Sequence, residues 1–153
     1  MRTRLEAGEF ERFIFEVEPR LRRALIAAYG RDTGREATAD ALSWAWEHWS
    51  KMQGVANPVA YLYRVGQSRV RSKKRPVIFE RPSHAEPWVE PSLGPALAQL
   101  SEAQRTAVVL VFGFGWTLRE VGELTGIQVT TVQTHLERGL RHLRAAMEVH
   151  DNA

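Results

Sequence analysis

Apolar residues recur with a helical period along most of the chain, and no segment of useful length alternates with the two-residue period of a strand. In the first half, an apolar stripe that begins at Phe10 is interrupted near Pro19, and a turn is predicted at residues 30–34. A strongly amphipathic segment then runs from Ala37 to Trp49, and a third runs from about Pro58 to Lys74, with the proline at a tolerated first-turn position. These patterns predict three helices before residue 75.

Prolines separate this half from the rest of the chain. Five of the seven prolines fall between residues 76 and 95, and each one removes a backbone donor and restricts the residue before it. The segment is therefore predicted to be an extended linker without helix. It carries the acidic residues Glu80, Glu86 and Glu90. Trp88 lies in neither predicted domain and is therefore a candidate anchor against a partner.

Beyond the linker, two helix starts and a turn stand close together. Ser101 with Gln104, and Thr117 with Glu120, have the spacing of capping boxes. A turn at Gly126 precedes a last helix, whose predicted core face is Val132, Leu136, Leu140, Leu143 and Met147. The predicted fold is all-α. Two small helical domains, residues 1–75 and 96–153, are joined by the acidic Pro-rich linker at 76–95, and the C-terminal domain is a helix-turn-helix.

The order of short helix, glycine-containing turn and second helix is typical of DNA-binding domains, in which the second helix enters a major groove. If the apolar face is buried, the outward side chains at the start of that helix are polar. They are Gln128, Thr130, Thr131, Gln133, Thr134, Arg138 and, further along, Arg141. Such side chains can contact bases and phosphates. The alternative is a solvated face on an ordinary helical hairpin.

Charge is unevenly distributed along the chain. Residues 1–75 hold 15 Lys and Arg against 9 Asp and Glu, a net of +6 within a total of +3. Six of these cations crowd the end of the third predicted helix: Arg64, Arg69, Arg71, Lys73, Lys74 and Arg75. A cluster of this kind can track a phosphate backbone. Tyr61 and Tyr63 stand beside it as stacking groups for unpaired bases or, alternatively, as core aromatics.

Residues 96–105, 118–127 and 131–144 closely resemble region 4 of the sigma-70 family. The most specific part is the run that begins Thr131-Val and continues through Leu136-Glu-Arg-Gly139. Residues 10–49 and 57–66 are similar to region 2 of the same family. Region 2, a linker and region 4 with nothing else is the layout of the extracytoplasmic-function (group 4) sigma factors, and the resemblance covers nearly the whole chain.

The resemblance implies that region 4 binds the −35 promoter element and that region 2 binds core RNA polymerase and the −10 element. The polymerase contacts would be Glu36 and Asp40. The −10 contacts would be Tyr61, Tyr63, Arg64, Gln67, Ser68, Arg71, Lys73, Lys74 and Arg75. An acidic linker would suit the channels of the polymerase.

The sequence also departs from the family pattern at several positions. Gln133 and His135 stand where basic residues are usual, and Ala39 stands where the polymerase-binding helix usually has Gln. Ser68 and Ser72 replace the usual Asn and Asp. These departures leave open a polymerase-independent helix-turn-helix regulator with a degenerate region 2, or a decoy that titrates an anti-sigma partner.

Other classes of function find no support in the sequence. There is no cysteine for a disulfide or a thiolate zinc site, and the five histidines lack metal-ligand spacing. No catalytic motif occurs, so we expect no enzyme activity, cofactor, metal or small-molecule substrate. No apolar run approaches a membrane span and no secretory signal is present, which predicts a cytoplasmic protein. The expected partners are core RNA polymerase and promoter DNA, and an anti-sigma factor is a further candidate partner.

Overall fold

The computed structural model describes residues 3–75, 77–79 and 92–151, which form eight α-helices and no β-strand. The helices are α1 (Arg4–Tyr29), α2 (Arg31–Glu47), α3 (Trp49–Met52), α4 (Pro58–Lys73), α5 (Leu93–Gln99), α6 (Glu102–Val108), α7 (Leu118–Thr125) and α8 (Val129–Asp151). A π-helical turn, Val109–Gly113, continues α6. The predicted all-α class is confirmed. The predictions for Glu80, Glu86, Trp88 and Glu90 lie outside the described residues.

Helix α1 differs from the sequence prediction because it continues through Pro19 instead of breaking there. Val17 and Leu21, on either side of the proline, are both buried in the same core. Packing on both sides of Pro19 compensates for the hydrogen bond that the proline cannot make. The helix begins with a capping box between Thr3 and Glu6 that the sequence analysis did not identify.

The turn predicted at residues 30–34 is reduced to the single residue Gly30, which ends α1 and precedes α2. Its φ of 88° lies in the region that favours glycine, and a Cβ there would clash with the carbonyl of Ile78. Gly34 lies within α2, where a Cβ would stand 2.6 Å from the Cα of Ile26. Gly34 is therefore needed for α1 and α2 to pack closely, and Gly30 for the turn between them and the approach of Ile78.

Gly34→Ala is expected to lower the free energy of unfolding by about 1–3 kcal/mol, because the new methyl group meets helix backbone and α1 must shift. Chemical denaturation monitored by circular dichroism measures this change. Gly8→Ala on α1 is the matched control, since nothing lies within 4 Å of its Cβ position. That variant should be more stable by about 0.5–1 kcal/mol. Equal effects of the two substitutions would contradict the packing argument.

The C-terminal domain begins earlier than the linker prediction implies. Helix α5 starts at Leu93, so the prediction that no helix occurs across 76–95 is wrong at its end. Pro95 is the third residue of this helix, within the first turn, where no intrahelical partner exists for its missing N–H. Ala96 and Leu100 are buried at this end of the domain.

Helix α8 packs across α6 at Gly139, where a Cβ would stand 2.8 Å from Cγ2 of Val108. Of the five residues predicted as the core face of α8, only Val132 is fully buried. Leu136, Leu140, Leu143 and Met147 are half-buried, because α8 extends beyond the helices that cover its first turns.

Most of the buried apolar residues form one cluster that crosses from the first domain into the second. In the first domain Leu21 and Leu25 of α1 meet the small residues of α2 and Leu62 of α4. In the second, Leu110 and Val132 pack with α7. The contact between the domains is therefore partly hydrophobic. None of the described helices is both long and apolar enough to cross a membrane.

Candidate nucleic-acid interface

The helix-turn-helix is formed by α7, a tight turn and α8. The side chain of Thr117 accepts a hydrogen bond from the N–H of Glu120 at 3.0 Å, and the Glu120 carboxylate accepts from the N–H of Thr117 at 3.1 Å. Gly126 ends α7 in the left-handed conformation, with φ at 75°. A Cβ on Gly122 would stand 2.8 Å from the carbonyl oxygen of Ile127. Glycine at both positions therefore permits this turn.

The predicted DNA-reading residues all lie on the exposed face of α8 and at its start. They are Gln128, Thr130, Thr131, Gln133, Thr134, Arg138 and Arg141. Within this set the Gln133 amide donates to Glu137 at 3.3 Å, and the Thr134 hydroxyl donates to the carbonyl of Thr130 at 3.1 Å. Neither interaction buries the side chain, so the face has the geometry that a groove-binding helix requires.

Helix α4 carries the second candidate interface, and its residues fall into three environments. Arg64, Ser68, Arg71, Lys73, Lys74 and Arg75 are exposed, whereas Tyr61 and Gln67 are half-buried. Tyr63 is only 1% exposed, and burial raises the pKa of its hydroxyl to about 12. In this arrangement of the chain the Tyr63 ring is not accessible for base stacking.

An aromatic cluster next to α4 was largely missed by the sequence analysis. The Trp44 ring stacks on His48 with 4.3 Å between the ring centroids, and it stands 5.5 Å from the ring of Tyr61. The ammonium of Lys51 lies within 6 Å of both the Trp44 and Tyr61 rings. Trp44, His48 and Lys51 follow one another closely along the end of α2 and α3, and the fold brings Tyr61 of α4 to them.

This cluster borders an open cavity of about 530 Å³ on the surface of the first domain. The cavity is lined by Trp44, Tyr61, Arg64, Val65, Ser68, Arg69 and Ser72. Aromatic rings beside arginines are the arrangement that single-stranded nucleic acid requires, since bases stack on the rings while cations contact the phosphates.

The candidate polymerase contacts on α2 are joined to the basic end of α4 by ion pairs. Lys73 donates to the Asp40 carboxylate at 2.7 Å and stands 3.6 Å from the Glu36 carboxylate. Arg75 also donates to Glu36. Both acids keep between a quarter and two-fifths of their side-chain surface exposed, at 29% for Asp40 and 38% for Glu36. They are therefore available to a partner as well as to these two cations.

The two domains meet at Glu102, at the start of α6. Its carboxylate accepts hydrogen bonds from the hydroxyl of Tyr29 and, at 3.1 Å, from the amide of Gln67. The guanidinium of Arg71 stands 3.7 Å away. Burial and the bond to Glu102 raise the pKa of Tyr29. Two of the candidate −10 residues, Gln67 and Arg71, are thus engaged by the second domain in this arrangement.

A buried arginine makes the second contact between the domains. Arg105 of α6 is 4% exposed and donates to the carbonyl of Ala28 at 2.8 Å and to that of Leu100 at 2.9 Å. Ala28 lies in the last turn of α1, where carbonyls lack intrahelical partners and the helix dipole is negative. The guanidinium of Arg105 also stands over the Phe79 ring, 5.3 Å from the centre of that ring. Burial lowers the pKa of Arg105.

Arg20 of α1 makes a third contact, on the outer edge. It donates to the Glu120 carboxylate at 2.7 Å, and its guanidinium lies 4.1 Å from the centre of the Trp116 ring. The bond from the Thr117 backbone, with Arg20 as a further cause, lowers the pKa of Glu120. Because Glu120 also belongs to the capping box of α7, this contact ties α1 directly to the helix-turn-helix.

Two phenylalanines that follow α6 are exposed to solvent, which the sequence did not reveal. Phe112, on the π-helical turn, is 65% exposed, and Phe114 is 44% exposed. Leu110, on the same π-helical turn, is fully buried, so this turn directs Phe112 outward. Within the described part of the chain, no group of acidic or histidine side chains is placed to hold a metal ion.

Fold and interface together define an all-α protein with a helix-turn-helix. Residues 92–143 match the family model described as Sigma-70, region 4. The match confirms the resemblance to the sigma-70 family in the C-terminal domain.

Among solved structures, the sigma factor RpoE from Bartonella quintana, in complex with the anti-sigma factor NepR, is similar to most of the chain. The TM-score is 0.69 at 20% sequence identity, covering 92% of this chain and 98% of that chain. The chain therefore shares the helical fold of that structure. No curated protein matches the sequence.

Proposed function

We propose that this chain is a transcription initiation factor of the extracytoplasmic-function sigma type. It binds core RNA polymerase and directs the enzyme to promoters through −10 and −35 recognition. The observation that carries the proposal is the exposed polar face of α8, which belongs to the segment that matches sigma-70 region 4. The similar fold of a solved sigma factor over 92% of the chain supports extending the proposal to the first domain.

The −35 element would be read by the first turns of α8. Gln128 and Gln133 have the side chain that pairs with adenine, and Arg138 suits guanine or phosphate. The threonines between them offer hydroxyls to phosphates and methyl groups to thymine. Few of these side chains are charged, so a large share of the affinity would come from direct base contacts instead of counterion release.

Arg138→Ala is expected to weaken binding to a −35 duplex about tenfold, since one arginine contact contributes about 1–3 kcal/mol. Fluorescence anisotropy with a duplex selected from a random pool measures this loss. The slope of log affinity against log salt concentration should also become shallower by about one. Arg12→Ala is the matched control, because Arg12 is exposed on the outer face of α1. Equal losses in the two variants would contradict the assignment of α8.

The −10 element would be held by α4 and the aromatic cluster of Trp44, His48, Lys51 and Tyr61. Unpaired bases need flat stacking surfaces beside cations, and the cluster provides both. Trp44 enters the proposal from its contacts in the structure, whereas Tyr61 and the basic residues enter from the sequence resemblance.

Polymerase binding is assigned to Glu36 and Asp40 on α2, together with the exposed Phe112 and Phe114. In the structure the two domains are in contact, which we call the closed arrangement, and Glu102 contacts Gln67 and Arg71. The second domain must therefore move away from α4 before the −10 contacts can form. The polymerase would supply the free energy for this separation by binding both domains in an open arrangement.

An anti-sigma factor is a further proposed partner. The similar solved structure is that of a sigma factor held by an anti-sigma factor. The chain of that complex and this chain share their fold over nearly their full lengths. A protein partner that stabilises the closed arrangement would keep the −10 surface covered.

The second candidate is a helix-turn-helix regulator that acts without polymerase. The departures at Ala39, Ser68 and Ser72 favour it, because these positions lack the side chains usual in region 2. The two functions differ in how the purified chain binds duplex DNA. A sigma factor binds its promoter weakly when alone, whereas a stand-alone regulator binds tightly and as a dimer.

A further inference from the structure

One acidic side chain, Glu137, lies in the middle of the candidate DNA-reading face of α8. It follows Thr130 by seven positions and Thr134 by three, and it precedes Arg141 by four. On an α-helix these spacings put the four side chains on one face, and all four are exposed. The sequence analysis assigned the other three to DNA and did not assign Glu137. The structure therefore adds a carboxylate to a surface whose other candidate residues are neutral or basic.

Within the described part of the chain, no cation neutralises this carboxylate. None of the ion pairs there involves Glu137, although Arg141 stands at the i+4 position on the same helix. The amide of Gln133 donates a hydrogen bond to Glu137 at 3.3 Å, which leaves the charge in place. The phosphates of any duplex repel a charged carboxylate on a groove-binding face. Glu137 therefore weakens binding to every sequence unless a base offers it a hydrogen-bond donor.

The major groove determines which base can do so. Thymine and guanine present carbonyl oxygens there, and both would repel a carboxylate. Adenine presents its amino group beside the acceptor N7, an arrangement that suits an amide better than a carboxylate. Cytosine presents its N4 amino group with no acceptor beside it, so cytosine is the base that pairs with Glu or Asp. The chemistry of Glu137 thus favours one base of the four.

We propose that Glu137 is a specificity-determining residue of this interface and accepts a hydrogen bond from the N4 amino group of a cytosine. This role rests on the proposed function, since α8 must bind DNA for it, and it applies to a sigma factor and to a stand-alone regulator alike. An acidic group that costs affinity on all other sequences then contributes selectivity, because it rejects duplexes with an acceptor at that position.

The contact with Gln133 gives Glu137 a second effect, on the orientation of the neighbouring amide. One N–H of Gln133 is directed at the Glu137 carboxylate, while its second N–H and its carbonyl oxygen stay free. These two groups are what N7 and the N6 amino group of adenine require. The two side chains are about 6 Å apart along the helix, and base pairs stack about every 3.4 Å. The cytosine is therefore expected within two base pairs of an adenine.

Selection of duplexes from a random pool by the full chain, followed by fluorescence anisotropy on the enriched sequence, tests this assignment. Replacement of the selected cytosine by thymine should weaken wild-type binding about tenfold or more. In Glu137→Gln this discrimination should fall to about twofold or less, because an amide can accept from cytosine and donate to thymine. Binding of Glu137→Gln to unrelated duplexes should become slightly tighter, since one repelling charge is gone.

A modified base isolates the hydrogen bond from the shape of the duplex. N4-methylcytosine still pairs with guanine, but its methyl group takes the place of the amino hydrogen in the major groove. This base should weaken binding by the wild type about tenfold, as the loss of one good base contact does. It should leave binding by Glu137→Ala nearly unchanged, because alanine has no acceptor to lose.

Glu148→Gln is the matched control, because Glu148 is an exposed acid on the same face of α8, about 16 Å further along the helix. This variant should keep the wild-type preference for cytosine. An unchanged preference in Glu137→Gln, or an equal loss in Glu148→Gln, would overturn the proposal while leaving DNA binding by α8 intact. Failure of the wild type to enrich any duplex would instead refute DNA binding by α8 and, with it, the proposed function.

Discussion

Glu102→Arg is expected to separate the two domains and to raise the affinity of the chain for a −10 strand about tenfold or more. The substitution removes the acceptor for Tyr29 and Gln67 and places a cation 3–4 Å from the position of Arg71. Each loss of about 1.4 kcal/mol in the stability of the closed arrangement raises the ratio of open to closed chains tenfold. Small-angle scattering should show a larger radius of gyration, and anisotropy with single-stranded DNA should show tighter binding.

The control for this experiment is Glu123→Arg, which makes the same charge change on α7. Glu123 has 57% of its side chain exposed and contacts only Arg119 among the ion pairs of the described residues. This variant should gain a little DNA affinity from its added charge, with an unchanged radius of gyration. If Glu102→Arg leaves the radius of gyration unchanged, the Glu102 contacts do not hold the domains together.

The second large effect is expected at the candidate polymerase surface. The double variant Glu36→Gln and Asp40→Asn should bind core polymerase at least about a thousandfold more weakly, since each of the two lost charge pairs at a protein interface typically costs about 2–5 kcal/mol. Its free energy of unfolding should fall by less than about 1 kcal/mol, because exposed pairs with Lys73 and Arg75 contribute little. Biolayer interferometry and denaturation measure the two quantities separately.

Asp32→Asn with Glu47→Gln is the matched control, since both residues are exposed on the same helix. Polymerase binding should be unchanged in this variant. An equal loss in both double variants would show that the net charge of α2, and not these two positions, determines the affinity. Full binding by the Glu36 and Asp40 variant would remove those residues from the interface.

The closed arrangement connects the candidate sites to one another. Glu102 engages Gln67 and Arg71 of α4, and a Cβ on Gly126 of the helix-turn-helix would stand 3.0 Å from the guanidinium of Arg64. Lys73 and Arg75 are paired within the first domain. Several cations that the sequence assigned to DNA are therefore held by protein groups, and an open arrangement would free those that contact the second domain.

Local features were the most predictable from the sequence. The capping boxes at Ser101 and Thr117 and the glycine turn at Gly126 were all identified correctly, because each depends on residues within four positions. Where only the neighbouring turn matters, spacing and residue type suffice.

Features that depend on distant parts of the chain were not predictable. Arg105 bonds to a carbonyl 77 residues away, and Arg20 to a carboxylate 100 residues away. Nothing in the local sequence marks these two arginines as different from the exposed ones. The continuity of α1 through Pro19 has the same origin, because packing against other helices outweighs the local preference.

The most direct test of the sigma assignment is promoter-specific transcription by the purified chain with bacterial core RNA polymerase. The assignment predicts a stable complex that initiates at a defined promoter, while the chain alone binds the same duplex weakly. A chain that forms no complex with the polymerase, yet alone binds duplex DNA tightly and with strong salt dependence, would contradict the assignment and establish a stand-alone regulator.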